Sequence, residues 1–294
     1  PASSPLHAFS LVPVPDAFHA QPKRQFRRLG QLVRGRAEHG LEARGRGVEV
    51  RRRVGEPRGQ RGRARVVAKA FALDAAFGGG HTNVTRQARL ANPLNYARFF
   101  VGDLLPEDAK RAVYLDADVA VAASLADLDA AAAQGFASNP GAVVAAVPRN
   151  YKKVCGHVVR CDTPAVRARF DDPAAALHAF NAGVVVFDLE RWRRFGKKAE
   201  ASRWIDANFN SEPRIYSLGS NPPLVLAVGD AFVRLDERWN CMRGLRRQHR
   251  HNTRCWAGAF VRHFPGDEKP WDMAPARAAA LGWRLRGRNR CGVG

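Results

Sequence analysis

Short apolar runs alternate with helix-spaced segments through most of the chain, and this alternation restricts the fold more than any other feature of the sequence. The runs at residues 66–71, 112–115, 119–121, 142–147, 183–189, 231–235 and 259–264 are too short for typical helices and read as buried strands. Helix signals fall between them. Asn92 is a suitable N-cap with Pro93 at the first helical position, and Ser124 precedes an alanine-rich segment whose Leu125 and Leu128 share a face. Glu190 opens a further segment rich in Arg and Trp. The pattern predicts an α/β domain with a mixed, mainly parallel sheet flanked by helices. There is no internal repeat, and no run of the roughly 18 apolar residues that a spanning helix needs.

Charge is the second feature. Lys and Arg number 48 against 27 Asp and Glu, a net of +21 that arginine dominates. Such a balance suggests a polyanion partner until its location is considered. Residues 1–65 carry +10, residues 66–240 only +2, and residues 241–294 +9. The basic strings, such as Arg61-Gly62-Arg63-Ala64-Arg65, are low-complexity sequence without interleaved aromatics. They read as solvated segments, and no nucleic-acid partner is expected. Residues 1–65 are therefore expected to be a basic, disordered segment, residues 66–275 the folded core, and residues 276–294 a basic tail. Five cysteines without a C-x-x-C spacing argue against a zinc site. Cys155 with Cys161 and Cys241 with Cys255 are candidate disulfides in a secretory lumen, and buried thiols explain them equally well.

Chemistry concentrates in three places. In Tyr114-Leu115-Asp116-Ala117-Asp118, two carboxylates one residue apart follow an apolar run, and ligands gather at the carboxyl ends of strands in open α/β sheets. The same spacing in Asp127-Leu128-Asp129 falls inside a helical segment and reads as a solvated face. His263-Phe264-Pro265-Gly266-Asp267-Glu268-Lys269-Pro270-Trp271 follows the last predicted strand. There His263 offers an imidazole ligand, Gly266 a close backbone approach and Lys269 a point charge for phosphate. The bland reading of that loop is a surface turn. In Phe180-Asn181-Ala182-Gly183 an amide and two small residues precede a buried strand, which suits sugar hydroxyls or a simple loop end. Arg98 in Asn95-Tyr96-Ala97-Arg98 is a candidate donor contact or a helix tie.

In this order the motifs resemble glycosyltransferase family 8, and more closely its plant galacturonosyltransferase-like branch. Asn92-Pro93-Leu94-Asn95-Tyr96-Ala97-Arg98, Val113-Tyr114-Leu115-Asp116-Ala117-Asp118, Phe180-Asn181-Ala182-Gly183-Val184 and Ile215-Tyr216-Ser217-Leu218-Gly219-Ser220 carry the likeness. So do Pro222-Pro223, Arg238-Trp239-Asn240 and the closing H-x-x-G-x-x-K-P-W pattern from His263 to Trp271.

The resemblance implies a GT-A type, Rossmann-like fold and a retaining hexosyltransferase. This enzyme would use a UDP-sugar donor, with galacturonic acid expected as the sugar, and Mn²⁺ as cofactor. Its acceptor would be a cell-wall polysaccharide such as pectin. Asp116, Asp118 and His263 would hold the metal. Gly266 and Lys269 would hold the diphosphate, while Arg98, Ala117, Asn181, Ala182 and Gly183 would line the donor site. No catalytic nucleophile is assigned. The family also implies the Golgi lumen, with membrane attachment only through an anchor that this chain does not show. The Asn83-Val84-Thr85 sequon agrees with a secretory route. Residues 1–65 show nothing like the family's opening uridine-binding strand and turn, so the first strand-helix-strand unit is expected to be missing. Two alternatives follow: an impaired relic without a uridine site, or a polyanion- or RNA-binding protein acting through the arginine-rich flanks.

Overall fold

A computed structural model describes residues 7–9, 48–51, 65–68, 93–149, 154–217, 219–242, 254–266 and 268–281. The chain divides into two compact units, residues 13–79 and the remainder. Its strands are β1 (His7–Phe9), β2 (Val48–Arg51), β3 (Arg65–Ala68), β4 (Arg111–Leu115), β5 (Val119–Val121), β6 (Val144–Pro148), β7 (Phe180–Asp188), β8 (Phe232–Arg234), β9 (Cys241–Met242) and β10 (Val261–His263). The α-helices are α1 (Val101–Leu104), α2 (Leu125–Ser138), α3 (Pro164–Arg169), α4 (Pro173–Ala176), α5 (Leu189–Arg194), α6 (Lys197–Phe209), α7 (Asn221–Val228) and α8 (Pro275–Ala280).

Within the smaller unit, β2 and β3 form an antiparallel pair. The larger unit is α/β. Its main sheet has the order β1-β4-β7-β6-β8, and a smaller one the order β5-β10-β9. In the main sheet the β1–β4 and β6–β8 pairings are parallel. Strand β7 runs antiparallel to both its neighbours. Among the described residues parallel and antiparallel pairings are therefore equal in number there, where the sequence pattern suggests a parallel majority. Period and composition show that a strand is buried, but not which way it runs.

Strand β7 is the centre of the sheet, and seven of its nine residues are buried. Both faces are covered, which explains its near-continuous run of Val and Phe. On one face Val184 and Val186 pack with Leu128, Ala132 and Phe136 of α2. These three recur every four residues and form one helical stripe. Ser124 caps α2 by accepting from the Ala126 amide at 3.2 Å, as the sequence suggests. Elsewhere on β7, Phe187 meets Trp192 of α5 edge to face, and the Trp192 indole donates to the Phe99 carbonyl.

Several local readings change. The segment entered at Pro93 begins as a 3-10 helix, Pro93–Phe100, and only then becomes α1. Helix α5 starts at Leu189, because Asp188 caps it by accepting from the Arg191 amide. Strands β1 and β2 lie within residues 1–65, where the sequence shows no strand period. Three or four residues are too few to display alternation, and β1 forms by adding to the edge of β4. Asn92 and the Asn83 sequon lie outside the described residues. Both candidate cysteine pairs are disulfides, Cys155–Cys161 and Cys241–Cys255. Among the described residues no helix is long and apolar enough to cross a membrane.

Candidate active site

Three segments distant in sequence meet at the end of β4, and backbone pairing places each of them. Strands β4 and β7 are paired up to Leu115 opposite Val184, and the next amide, that of Asp116, donates to the Gly183 carbonyl at 2.8 Å. That bond fixes the turn of Asp116-Ala117-Asp118 against the start of β7. Strand β5 then pairs with β10, with Val119 opposite His263. The Phe264 amide donates to the Asp118 carbonyl at 3.0 Å, continuing the ladder past the strand end. Register alone therefore brings the two aspartates and the histidine together. One ligand atom from each of Asp116, Asp118 and His263 lies within 4.8 Å of the others.

Cationic and hydroxyl groups engage one oxygen of each carboxylate. Asp116 Oδ1 accepts from Tyr114 Oη at 2.7 Å and from an Arg98 terminal nitrogen at 3.3 Å. Asp118 Oδ2 accepts from Lys269 Nζ at 2.5 Å, and Lys269 also donates to the Phe264 carbonyl at 2.9 Å. The remaining oxygens face the histidine. His263 Nε2 lies 3.2 Å from Asp118 Oδ1 and 3.9 Å from Asp116 Oδ2. Asp118 Oδ1 is buried and faces no polar partner other than the His263 ring nitrogen. Burial acts to raise the Asp118 pKa, but His263 and Lys269 outweigh it and hold the carboxyl well below the usual carboxylate range. The two carboxylates thus offer one buried oxygen and one part-buried oxygen beside an imidazole nitrogen.

Arg98 is buried beneath this group. It donates to the carbonyls of Asn95 at 3.0 Å and Ala182 at 2.8 Å, and its guanidinium lies 4.5 Å from the Tyr114 ring centroid. Burial works against its charge, yet Tyr114 and Asp116 outweigh burial and raise its pKa. Burial is also the main force that raises the Tyr114 hydroxyl pKa, so Tyr114 stays a proton donor to Asp116.

Gly183 is packed against the histidine. A Cβ added there would lie 2.2 Å from His263 Cε1, closer than any side chain tolerates. The Asn181 side-chain oxygen accepts from the Gly183 amide at 2.9 Å and from Asn240 at 3.1 Å. Ala117 is exposed between the two aspartates. Gly266 sits in the following loop with φ +107°, a conformation that favours glycine, and with open space where a Cβ would be.

The structure thus joins Arg98, Asp116, Asp118, Asn181, Ala182, Gly183, His263 and Lys269 through direct contacts, with Ala117 and Gly266 in the adjoining turns. Tyr114 and Asn240 belong to the same network, although neither stands out as a site residue in sequence. Each sits inside a motif, beside Leu115-Asp116 and within Arg238-Trp239-Asn240, but a side chain's partner across the fold has no sequence signal. The other Asp-x-Asp spacing is accounted for separately. Asp129 pairs with Arg111 through two bonds at 2.7 and 2.8 Å, and Asp127 is exposed.

The chain is 34% identical over 200 residues to Probable galacturonosyltransferase-like 7 of Arabidopsis thaliana, covering 65% of this chain and 51% of that protein. It is 28% identical over 220 residues to Glycosyltransferase 8 domain-containing protein 1 of Xenopus tropicalis, covering 71% and 59%. The chain therefore spans about half the length of the curated relatives it matches. A crystal structure of the galactosyltransferase LgtC in complex with donor and acceptor sugar analogs is similar at 19% identity and a TM-score of 0.45, covering 71% of this chain and 74% of that one. The model of Glycosyl transferase family 8 matches residues 53–274, three quarters of the sequence and all of the clustered site residues, so the chain belongs to glycosyltransferase family 8.

Proposed function

We propose that this chain is the catalytic part of a retaining hexosyltransferase that moves galacturonic acid from UDP-galacturonate to a polysaccharide acceptor with the help of Mn²⁺. The observation that carries the reading is the meeting of Asp116, Asp118 and His263, with Asp118 Oδ1 buried and facing only the imidazole. Two hard oxygens and one imidazole nitrogen fit a divalent ion of this kind. Asp116, Asp118 and His263 would hold it. When bound, such an ion supplies Lewis-acid stabilisation of the negative charge on the departing diphosphate.

The other residues bind and orient. Lys269 places a positive charge on the same side as Asp118, and one of its three N–H groups remains for a diphosphate oxygen. Gly266 lets the loop backbone approach that diphosphate closely. Asn181, Ala182 and Gly183 line the donor sugar, and Ala117 keeps the space between the aspartates small. Arg98 and Tyr114 hold Asp116 from below rather than reaching outward. In the transfer, the bond from C1 of the sugar to the diphosphate breaks, and its electron pair leaves with UDP. The acceptor hydroxyl oxygen bonds to C1 on the same face and passes its proton to the departing UDP oxygen, which holds that electron pair. The family likeness and both disulfides support work in the lumen of the secretory pathway, in the Golgi.

The test is UDP release from UDP-galacturonate, UDP-galactose and UDP-glucose, with Mn²⁺ and with chelator, for wild type and Asp118→Asn. The expected result is Mn²⁺-dependent release that favours UDP-galacturonate and falls by about 100-fold or more in the variant. Equal rates in the two proteins would remove the metal role from Asp118. Faster turnover of a neutral sugar would overturn the donor assignment.

A further inference from the structure

His263 is 2% exposed, and its two ring nitrogens face different neighbours. Nδ1 lies 2.9 Å from Asn240 Oδ1, while Nε2 faces the two aspartates. Asn240, also 2% exposed, donates from its amide nitrogen to the Asn181 main-chain carbonyl at 3.2 Å and to Asn181 Oδ1 at 3.1 Å. A main-chain carbonyl can only accept, so the NH₂ of Asn240 must face residue 181 and its oxygen must face the imidazole. That oxygen can likewise only accept, which places a proton on His263 Nδ1. In the neutral ring the lone pair then sits on Nε2, directed towards Asp118 Oδ1 at 3.2 Å. Nε2 and Asp118 Oδ1 are thus placed to share one cation, a proton in the metal-free protein or a metal ion when one is bound.

We infer that Asn240 is a positioning residue that sets the tautomer of His263, so that Nε2 is the atom offered to the Asp116–Asp118 pair; this role deepens the metal-site reading above and rests on it. Outer partners of metal-binding histidines commonly act in this way, fixing ring orientation and basicity. Here the anchor is strand β7. The Asn181 oxygen that receives Asn240 also accepts from the Gly183 amide, and the Gly183 carbonyl receives the Asp116 amide at 2.8 Å. The chain of bonds therefore runs from the histidine through two amides and one strand end to the first aspartate. It couples the geometry of the metal ligands to that of Asn181 on the donor side.

The experiment uses the full chain with ¹⁵N-labelled histidine. Long-range ¹H–¹⁵N spectra read the His263 tautomer in the metal-free protein, and loss of the free Mn²⁺ electron paramagnetic resonance signal reads affinity. Wild type is expected to be Nδ1-protonated. In Asn240→Leu that preference should collapse to a mixture and the Mn²⁺ Kd should rise about 10- to 100-fold. In Asn240→Asp, which keeps an acceptor at the same place, Nδ1 should remain protonated and affinity should stay within a few-fold. Unchanged affinity in Asn240→Leu overturns the inference. If that variant does not fold, Asn240→Asp decides alone, and a proton moved to Nε2 overturns it. If wild type binds no Mn²⁺, the metal reading fails by itself. The tautomer comparison then judges Asn240: Nδ1 protonation in wild type that is lost in Asn240→Leu supports the positioning role, and the same tautomer in both overturns it.

Discussion

Gly183 shows how a residue that carries no functional group can control a site made of functional groups. Its hydrogen replaces a Cβ that would stand 2.2 Å from His263 Cε1 and 2.7 Å from Nδ1. Gly183→Ala must therefore push the imidazole away from the aspartates or move the start of β7. The expected cost is about 1–3 kcal/mol of stability, read from the denaturant midpoint, together with weakened Mn²⁺ binding. Unaltered metal binding in a folded Gly183→Ala protein would show that His263 does not hold the ion. Sequence alone presents Gly183 as one of two small residues before a strand. The contact that makes it necessary comes from a residue 80 positions away, so no local pattern records it. Asp116, Asp118 and His263 are more legible, because their chemistry and their places at strand ends are both local properties.

At the scale of elements, buried runs and caps are readable while connections are not. Ser124 and the stripe of α2 follow from propensity and period. What closes the far end of α2 is Arg191 of α5, which donates to the carbonyls of Phe136, Asn139 and Ala142 at 2.9–3.1 Å. The Phe136 and Asn139 carbonyls lie at the helix end and the Ala142 carbonyl just beyond it, and the guanidinium fork meets all three. Arg191→Met keeps much of the stem but removes the donors. We expect a loss of about 1.5–3 kcal/mol by thermal or denaturant unfolding. Activity per folded molecule should be preserved, because Arg191 touches no site residue. A large fall in activity with unchanged stability would contradict this assignment. The equal mixture of parallel and antiparallel pairings in the main sheet belongs to the same scale. A strand buried on both faces carries the same apolar code in either direction, so only the path of the chain between strands decides it.

For the whole molecule, charge and disulfides carry the argument. The net +21 lies almost entirely outside residues 66–240, and the site itself balances carboxylates against Arg98 and Lys269. The charge excess therefore says little about the chemistry. The Cys241–Cys255 bridge is more informative. It ties β9, which follows Asn240 directly, to the segment that leads into β10 and His263. Strands β9 and β10 are also paired in parallel, with Met242 beside His263. A bridge that closes a loop of this length contributes about 3 kcal/mol in the chain-entropy view. Replacing both cysteines by serine should lower the unfolding midpoint accordingly and weaken Mn²⁺ binding. The equivalent change at Cys155 and Cys161 should leave metal affinity unaltered, since no site residue lies within that loop. Equal effects of the two replacements on metal binding would refute the link.

The sequence by itself determined that this chain forms an α/β domain, where its buried strands lie, which family it resembles, and which carboxylates and histidine are the candidates for its chemistry. These properties are set by residue type, spacing and period, all of which are local along the chain. Tertiary structure decided the direction of β7, the meeting of β5 with β10 that brings His263 to Asp118, and the lattice of Arg98, Tyr114, Asn181 and Asn240 around these side chains. Those features depend on register and on hydrogen bonds between residues dozens of positions apart. Such bonds are selected only when the backbone has closed and each buried donor must find an acceptor.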